Sequence, residues 1–89
     1  MRLIELNVPN EGSDRRTLVQ GLLGKEVILK DTHYSWLHGK ILGEGSNSEV
    51  YSMNIASNRG KTSLHYHDLE VLLEVQRTQE DIDLTAKNT

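Results

Sequence analysis

From Lys25 onward the chain places its apolar side chains with a period of two, in short runs separated by turn-forming residues. The runs are "KEVILKD" (25–31), "WLHGKILGEG" (36–45), "EVYSMNIAS" (49–57), "TSLHYH" (62–67) and "VLLEV" (71–75). A period of two is that of a strand with one face in a core and one in water. The turns "DTHYS", "GEGSNS" and "NRGK" are too short to hold crossover helices, so the strands are expected to be antiparallel. Gly39, inside the second run, marks a bend or a close approach of two backbones.

The alternation loses its phase in "SLHYHDLEVLLEVQ" (63–76). Leu64 and Tyr66 fall on one side, His65 and His67 on the other. Beyond Asp68 the apolar set is Val71, Leu73 and Val75, which continues the histidine side. One unbroken strand cannot bury both sets on one face. A tight turn near Asp68, dividing a fourth strand from a fifth, removes the conflict.

Ahead of the strands, "LIELNVP" (3–9) reads as a short strand stopped by Pro9. Ser13 is placed to cap a helix, with Asp14 in its first turn where negative charge suits the dipole. Leu18 with Leu22 and Val19 with Leu23 lie four apart on one face, and Gly24 stands at the C-cap position. Gly21 weakens this helix by ~1 kcal/mol relative to alanine. The expected fold is mainly β: an N-terminal helix followed by a five-stranded, strongly bent antiparallel SH3-like barrel. It forms a single small domain over residues 1–77, and a polar, disordered tail follows at 78–89.

A chain of 89 residues that is 36% hydrophobic, with one Trp and no Phe, has little from which to build a core. Chains of this size bury only ~60% of their unfolded surface. There is no cysteine to staple the fold, so self-association into a homo-oligomer is the expected remedy. No apolar run reaches membrane-spanning or signal-peptide length, which fits a cytoplasmic setting with no membrane partner. The formal charge is −3, and the tail contributes much of it through Glu80, Asp81 and Asp83 against Lys87. A globally basic nucleic-acid binder is excluded, whereas a local basic patch is not.

At this point the chain resembles the Sm family, the small barrels of Sm proteins and bacterial Hfq, over roughly residues 14–77. "LVQGLLGKEVILKD" is similar to the family's N-terminal helix running into its first strand, and "LHGKIL" to its second. "SMNIAS" resembles the Met-Asn step of the first Sm motif. "HYHDLEVLLEV" is similar to the second motif, with His67 in the place of its histidine and His65 in the place of its tyrosine. The chain departs from the pattern in several extra residues between Gly39 and Met53, in Tyr66 standing where lysine is usual, and in the added N-terminal strand. The resemblance implies a ring in which the fourth strand of one subunit pairs with the fifth of the next, so that Leu72, Leu73 and Val75 form a subunit interface. It also implies contact with single-stranded RNA, Asn54 reading a base and His67 facing the pore. Tyr34 or Trp36 could stack a base on the grounds of their chemistry.

Each candidate has a plainer alternative. His65 and His67 have ligand spacing, and His33, His38, Asp68 or Glu70 could complete a zinc site. An isolated His-x-His pair is more often two hydrogen-bonded or solvated histidines, and no cofactor is assigned. Trp36, His38, Lys40 and Leu42 share a face opposite Leu37, Gly39 and Ile41; that mixed face could stack nucleic acid or anchor a protein, or Trp36 could simply pack under a loop. Arg15, Arg16, Arg59 and Lys61 are the densest basic spots, and a phosphate partner competes with plain solvation. No nucleophile elbow, phosphate loop or paired acid and base is present, so no enzyme activity is expected. The leading expectation is an Sm-like oligomer binding single-stranded RNA through Asn54, His67, His65, Tyr34, Trp36 and Lys40. The rivals are a protein-interaction module, acting as inhibitor or accessory subunit of a larger protein partner, and a small-molecule-binding oligomer.

Overall fold

Alternation and turn chemistry divide the chain into β1 (Arg2–Leu6), α1 (Gly12–Gln20), β2 (Glu26–Asp31), β3 (Leu37–Glu44), β4 (Ser52–Ser57), β5 (Gly60–His65), a 3-10 turn (Tyr66–Asp68) and β6 (Leu69–Gln76). The computed structural model describes residues 1–33, 36–45 and 52–81. The six strands form one sheet in the order β1-β6-β2-β3-β4-β5, with every neighbouring pair antiparallel. The mainly β, antiparallel expectation holds, but the five-stranded barrel behind an N-terminal helix is corrected. Among the described residues there are six strands: the strand expected ahead of the helix joins the same sheet as a sixth member, and that sheet is open, with β1 and β5 at its two ends.

The core lies on one face of this sheet. In β3, Leu37 and Ile41 are buried while His38, Lys40 and Leu42 are exposed, as the alternation requires. Gly39 falls on the core side at the point where β3 meets β4. A Cβ there would lie 2.0 Å from the Ala56 carbonyl oxygen, so of the two roles open to this glycine it serves the close approach of backbones.

The helix begins earlier than its residue types suggest. Glu11, not Ser13, is the N-cap residue, and the helix ends at Gln20 with Gly21 as its C-cap. The chain then turns through Gly24, whose φ of +77° is one that glycine adopts at little cost. The Gly24 N–H donates to the Ile41 carbonyl at 2.8 Å, which fixes the turn against β3. Val19 and Leu22 enter the core and Leu18 packs at its margin, whereas Leu23 remains exposed.

The phase break is the 3-10 turn. Leu64 and Tyr66 are both buried, then the chain turns, and Leu69 and Leu72 take over the core positions. Of the expected core set, Val75 is buried, whereas Val71 and Leu73 are only half-buried and are corrected. A register shift between Lys30 and Asp31 accommodates the change, and Leu72 sits opposite Leu29 on one side and Leu6 on the other. Val75 is buried outside the main core cluster, opposite Leu3, and Leu73 is half-buried between Ile28 and Glu5.

Two further expectations change. β6 is an interior strand, paired with β1 along one edge and β2 along the other, so it is not an open edge offering Leu72, Leu73 and Val75 to another copy. Leu72 has no exposed surface in the single chain. The segment from residue 78, expected to be disordered, starts with an ordered turn. There the Thr78 N–H donates to the Asp81 carboxylate at 3.0 Å and the Asp81 N–H donates to the Thr78 hydroxyl at 3.2 Å. Residues 82–89 of that tail lie outside the described residues.

Candidate functional site

The β4–β5 hairpin turns on Asn58 and Arg59, with Ser57 opposite Gly60. That register places Asn54 opposite Ser63 and Ala56 opposite Lys61. Residues directly opposite one another share a face of the sheet. Because Met53, Ile55 and Leu64 point into the core, Asn54, Ala56, Lys61, Ser63 and His65 lie on the other face. Lys40 joins them through its pairing with Ala56, so Lys40 and Lys61 flank one small side chain.

An open groove of about 340 Å³ runs along this face at its β5 end, lined by Leu42, Gly43, Glu44, Asn54, Lys61, Thr62 and Ser63. The Asn54 amide donates one N–H to the Glu44 carbonyl at 3.3 Å, which orients it. Its carbonyl oxygen and second N–H remain as an acceptor and donor pair at the groove. The Glu44 carboxylate is held by Arg16 and by Gln20, whose amide donates at 3.0 Å. The Arg16 guanidinium keeps that carboxyl below the usual range, so it stays ionised with its charge matched by a cation. Tyr66 lies beneath, fully buried. Burial first, and the Glu44 charge second, hold its phenol above the usual value.

The histidines divide between two places. His65 ends β5 and His67 lies in the 3-10 turn, both exposed, with ring centroids 5.4 Å apart. The turn therefore keeps together the pair that a single strand was expected to align. His67 Nε2 lies 3.5 Å from one Asp68 carboxylate oxygen and His33 Nε2 lies 3.3 Å from the other. Among the described residues no group of three or more histidines and carboxylates has the geometry to hold a metal ion. His38 instead contacts Glu26, which also accepts two hydrogen bonds from the Arg77 guanidinium, at 3.0 and 2.7 Å.

These contacts, the Arg77 hydrogen bond foremost, hold the Glu26 carboxyl well below its ordinary 4.5, at about 2. A group depressed by folding stabilises the native state above its unfolded value and loses that contribution as the pH falls through the folded one. The domain is thus expected to weaken between about pH 4.5 and pH 2, Glu26 contributing on the order of 1 kcal/mol after screening at a partly exposed site. Glu26→Gln should flatten the acid limb of a plot of unfolding free energy against pH; an unchanged limb would remove Glu26 from the account.

Trp36 is 47% exposed, so it does not pack under a loop. It stands at the far end of β3 from the groove, four residues from Lys40, or ~13 Å along a strand. The structure thus brings Asn54, His65, His67 and Lys40 to one flank and leaves Trp36 apart. Tyr34 lies outside the described residues. The basic start of the helix is fastened inward. Arg15 donates from Nη1 to the Tyr66 carbonyl at 2.8 Å and from Nε to the Pro9 carbonyl, while Arg16 is bound to Glu44. In sequence Lys61 reads as one of the basic spots open to a phosphate and Leu42 as part of the mixed face of β3, but nothing places either beside Asn54, and Ser63 does not stand out at all. The two-residue turn at 58–59 is the signal that could have found them, since it fixes which β5 residues stand across from Asn54.

Comparison with protein-family models, with curated proteins and with solved structures finds no match.

Proposed function

We propose that the chain is an Sm-like binding protein for single-stranded RNA, with the groove beside Asn54 as the base site. The observation that carries this reading is the company Asn54 keeps. A half-buried, oriented amide opens onto a groove flanked by Lys61, with Lys40 one strand beyond, and the carboxylate that lines it among the described residues, Glu44, is already matched by Arg16. An amide donor and acceptor pair can read the edge of an unstacked base, and ammonium groups beside it can meet the flanking phosphates. His65 and His67 extend the surface with two imidazole faces against which a base can lie. The order β6-β2-β3-β4-β5 also supports the resemblance. It puts the last two strands of a five-strand unit on opposite sides, as in a strongly bent small barrel.

The test is a titration of short single-stranded RNA, followed by fluorescence anisotropy over a series of salt concentrations. Binding should weaken as salt rises, because phosphate contacts release counterions. Asn54→Ala should weaken it about tenfold, the loss of one or two hydrogen bonds to a base, with the melting temperature nearly unchanged. RNA binding that ignores both salt and Asn54→Ala overturns the assignment.

A second reading has its own observation. Trp36 shares the face opposite the core with Ile28, Val71 and Leu73, all half-buried. An exposed tryptophan beside aliphatic side chains is the composition of a protein-binding anchor. This favours a larger protein partner on that flank.

A further inference from the structure

We infer that copies of this chain join head to tail, the open edge of β5 pairing with the open edge of β1 of the next copy, and that the joint completes the groove beside Asn54. Among the described residues β1 and β5 each have one strand neighbour and end the sheet on opposite sides. Each therefore presents a row of backbone N–H and C=O groups without a strand partner. The sheet has an even number of strands, all antiparallel to their neighbours. A second copy placed in the same orientation beside β5 thus offers β1 antiparallel to it, with its core side continuous with the first.

Side chains choose the register. On the outer face β5 carries Lys61 and Ser63, and β1 carries Leu3 and Glu5. Setting Lys61 against Glu5 of the next copy pairs opposite charges and sets Ser63 against Leu3 of that copy. Ser63 lines the groove together with Leu42. Leu3 and Leu42 are 45% and 50% exposed in the single chain. The joint brings them to the same groove, and Leu3 of the next copy supplies the wall that the groove lacks beyond β5. A two-fold arrangement of β5 against β5 would instead oppose Lys61 with a second Lys61, with Ser63 or with His65, and none of these sets a carboxylate against Lys61 as Glu5 of β1 does.

The test is a charge exchange read by size-exclusion chromatography with light scattering on the full chain. The native protein should elute as a multiple of the chain mass. Lys61→Glu alone and Glu5→Lys alone should each shift the population toward single chains by tenfold or more, and the double variant Lys61→Glu/Glu5→Lys should restore the assembly. Circular dichroism checks that each variant stays folded. Glu5→Gln and Lys61→Gln serve if a reversed charge does not fold, and each should then weaken the assembly by a smaller factor. A native protein of single-chain mass overturns the inference. A dimer indifferent to the exchange also overturns it, as does β5 pairing only with an added extended peptide. RNA anisotropy on the same samples separates the two proposals: a single chain that binds RNA leaves the groove assignment standing, and an assembly that ignores RNA leaves the joint standing.

Discussion

Gly39→Ala is expected to remove more than half of the domain's stability and to lower its melting temperature steeply. The added methyl would lie 2.0 Å from the Ala56 carbonyl oxygen, 2.7 Å from its carbon and 2.7 Å from the Ser57 Cα. All three are backbone atoms, so no side chain can rotate away, and relief requires β3 and β4 to separate where Gly39 pairs with Ser57. Overpacking of this kind costs about 3 kcal/mol or more. Small domains hold only about 5–15 kcal/mol of stability, and one this short sits toward the lower limit. Gly21→Ala is the control. Gly21 has a helical φ of −70°, and its nearest would-be neighbour, the Leu18 carbonyl oxygen, lies at an ordinary 3.4 Å. That variant should gain ~0.5 kcal/mol by restricting the unfolded chain. Thermal melts followed by circular dichroism would compare the two, and equal melting temperatures would show that the close approach is not what Gly39 serves.

Leu72→Ala should be nearly as damaging. Its side chain is fully buried between Leu6 and Leu29, at the junction of the first, last and second strands. Removing it leaves a cavity and costs about 2–5 kcal/mol. Leu73→Ala, one residue on and pointing to the opposite face, should cost roughly 1 kcal/mol, since that side chain is only half-buried. Urea titrations of both variants would decide the matter. Equal losses would mean that β6 has the other face toward the core.

That pair of substitutions also marks where the sequence stops being legible. Strand-period alternation identifies the outer positions of β3, from Trp36 through His38 and Lys40 to Leu42, because Leu37 and Ile41 alternate with them without interruption. The same rule locates the break near Asp68 but assigns the wrong leucine to the interior. The register shift beside Asp31 is a property of two strands meeting, and neither strand carries it alone. The destination of the arginines is hidden for a similar reason. Arg15 reaches the Tyr66 carbonyl and Arg16 reaches Glu44, contacts that span 51 and 28 residues of chain and leave no local pattern. A motif singles out Asn54, but its neighbours Ser63 and Lys61 follow from the hairpin register. The N-terminal strand is recognisable, yet its place along β6 is not, because short-range residue preferences do not say which edge a strand will join.

The pairing of Arg2 with Gln76 has a consequence for how the molecule comes into being. During synthesis the earliest strand emerges with no surface to join, and its companion is made only as the last of the sheet leaves the ribosome. Contacts so distant along the chain slow folding, because a long loop must close before they can form. The nascent protein should therefore stay sensitive to protease until Gln76 has left the ribosome, and then become resistant in one step.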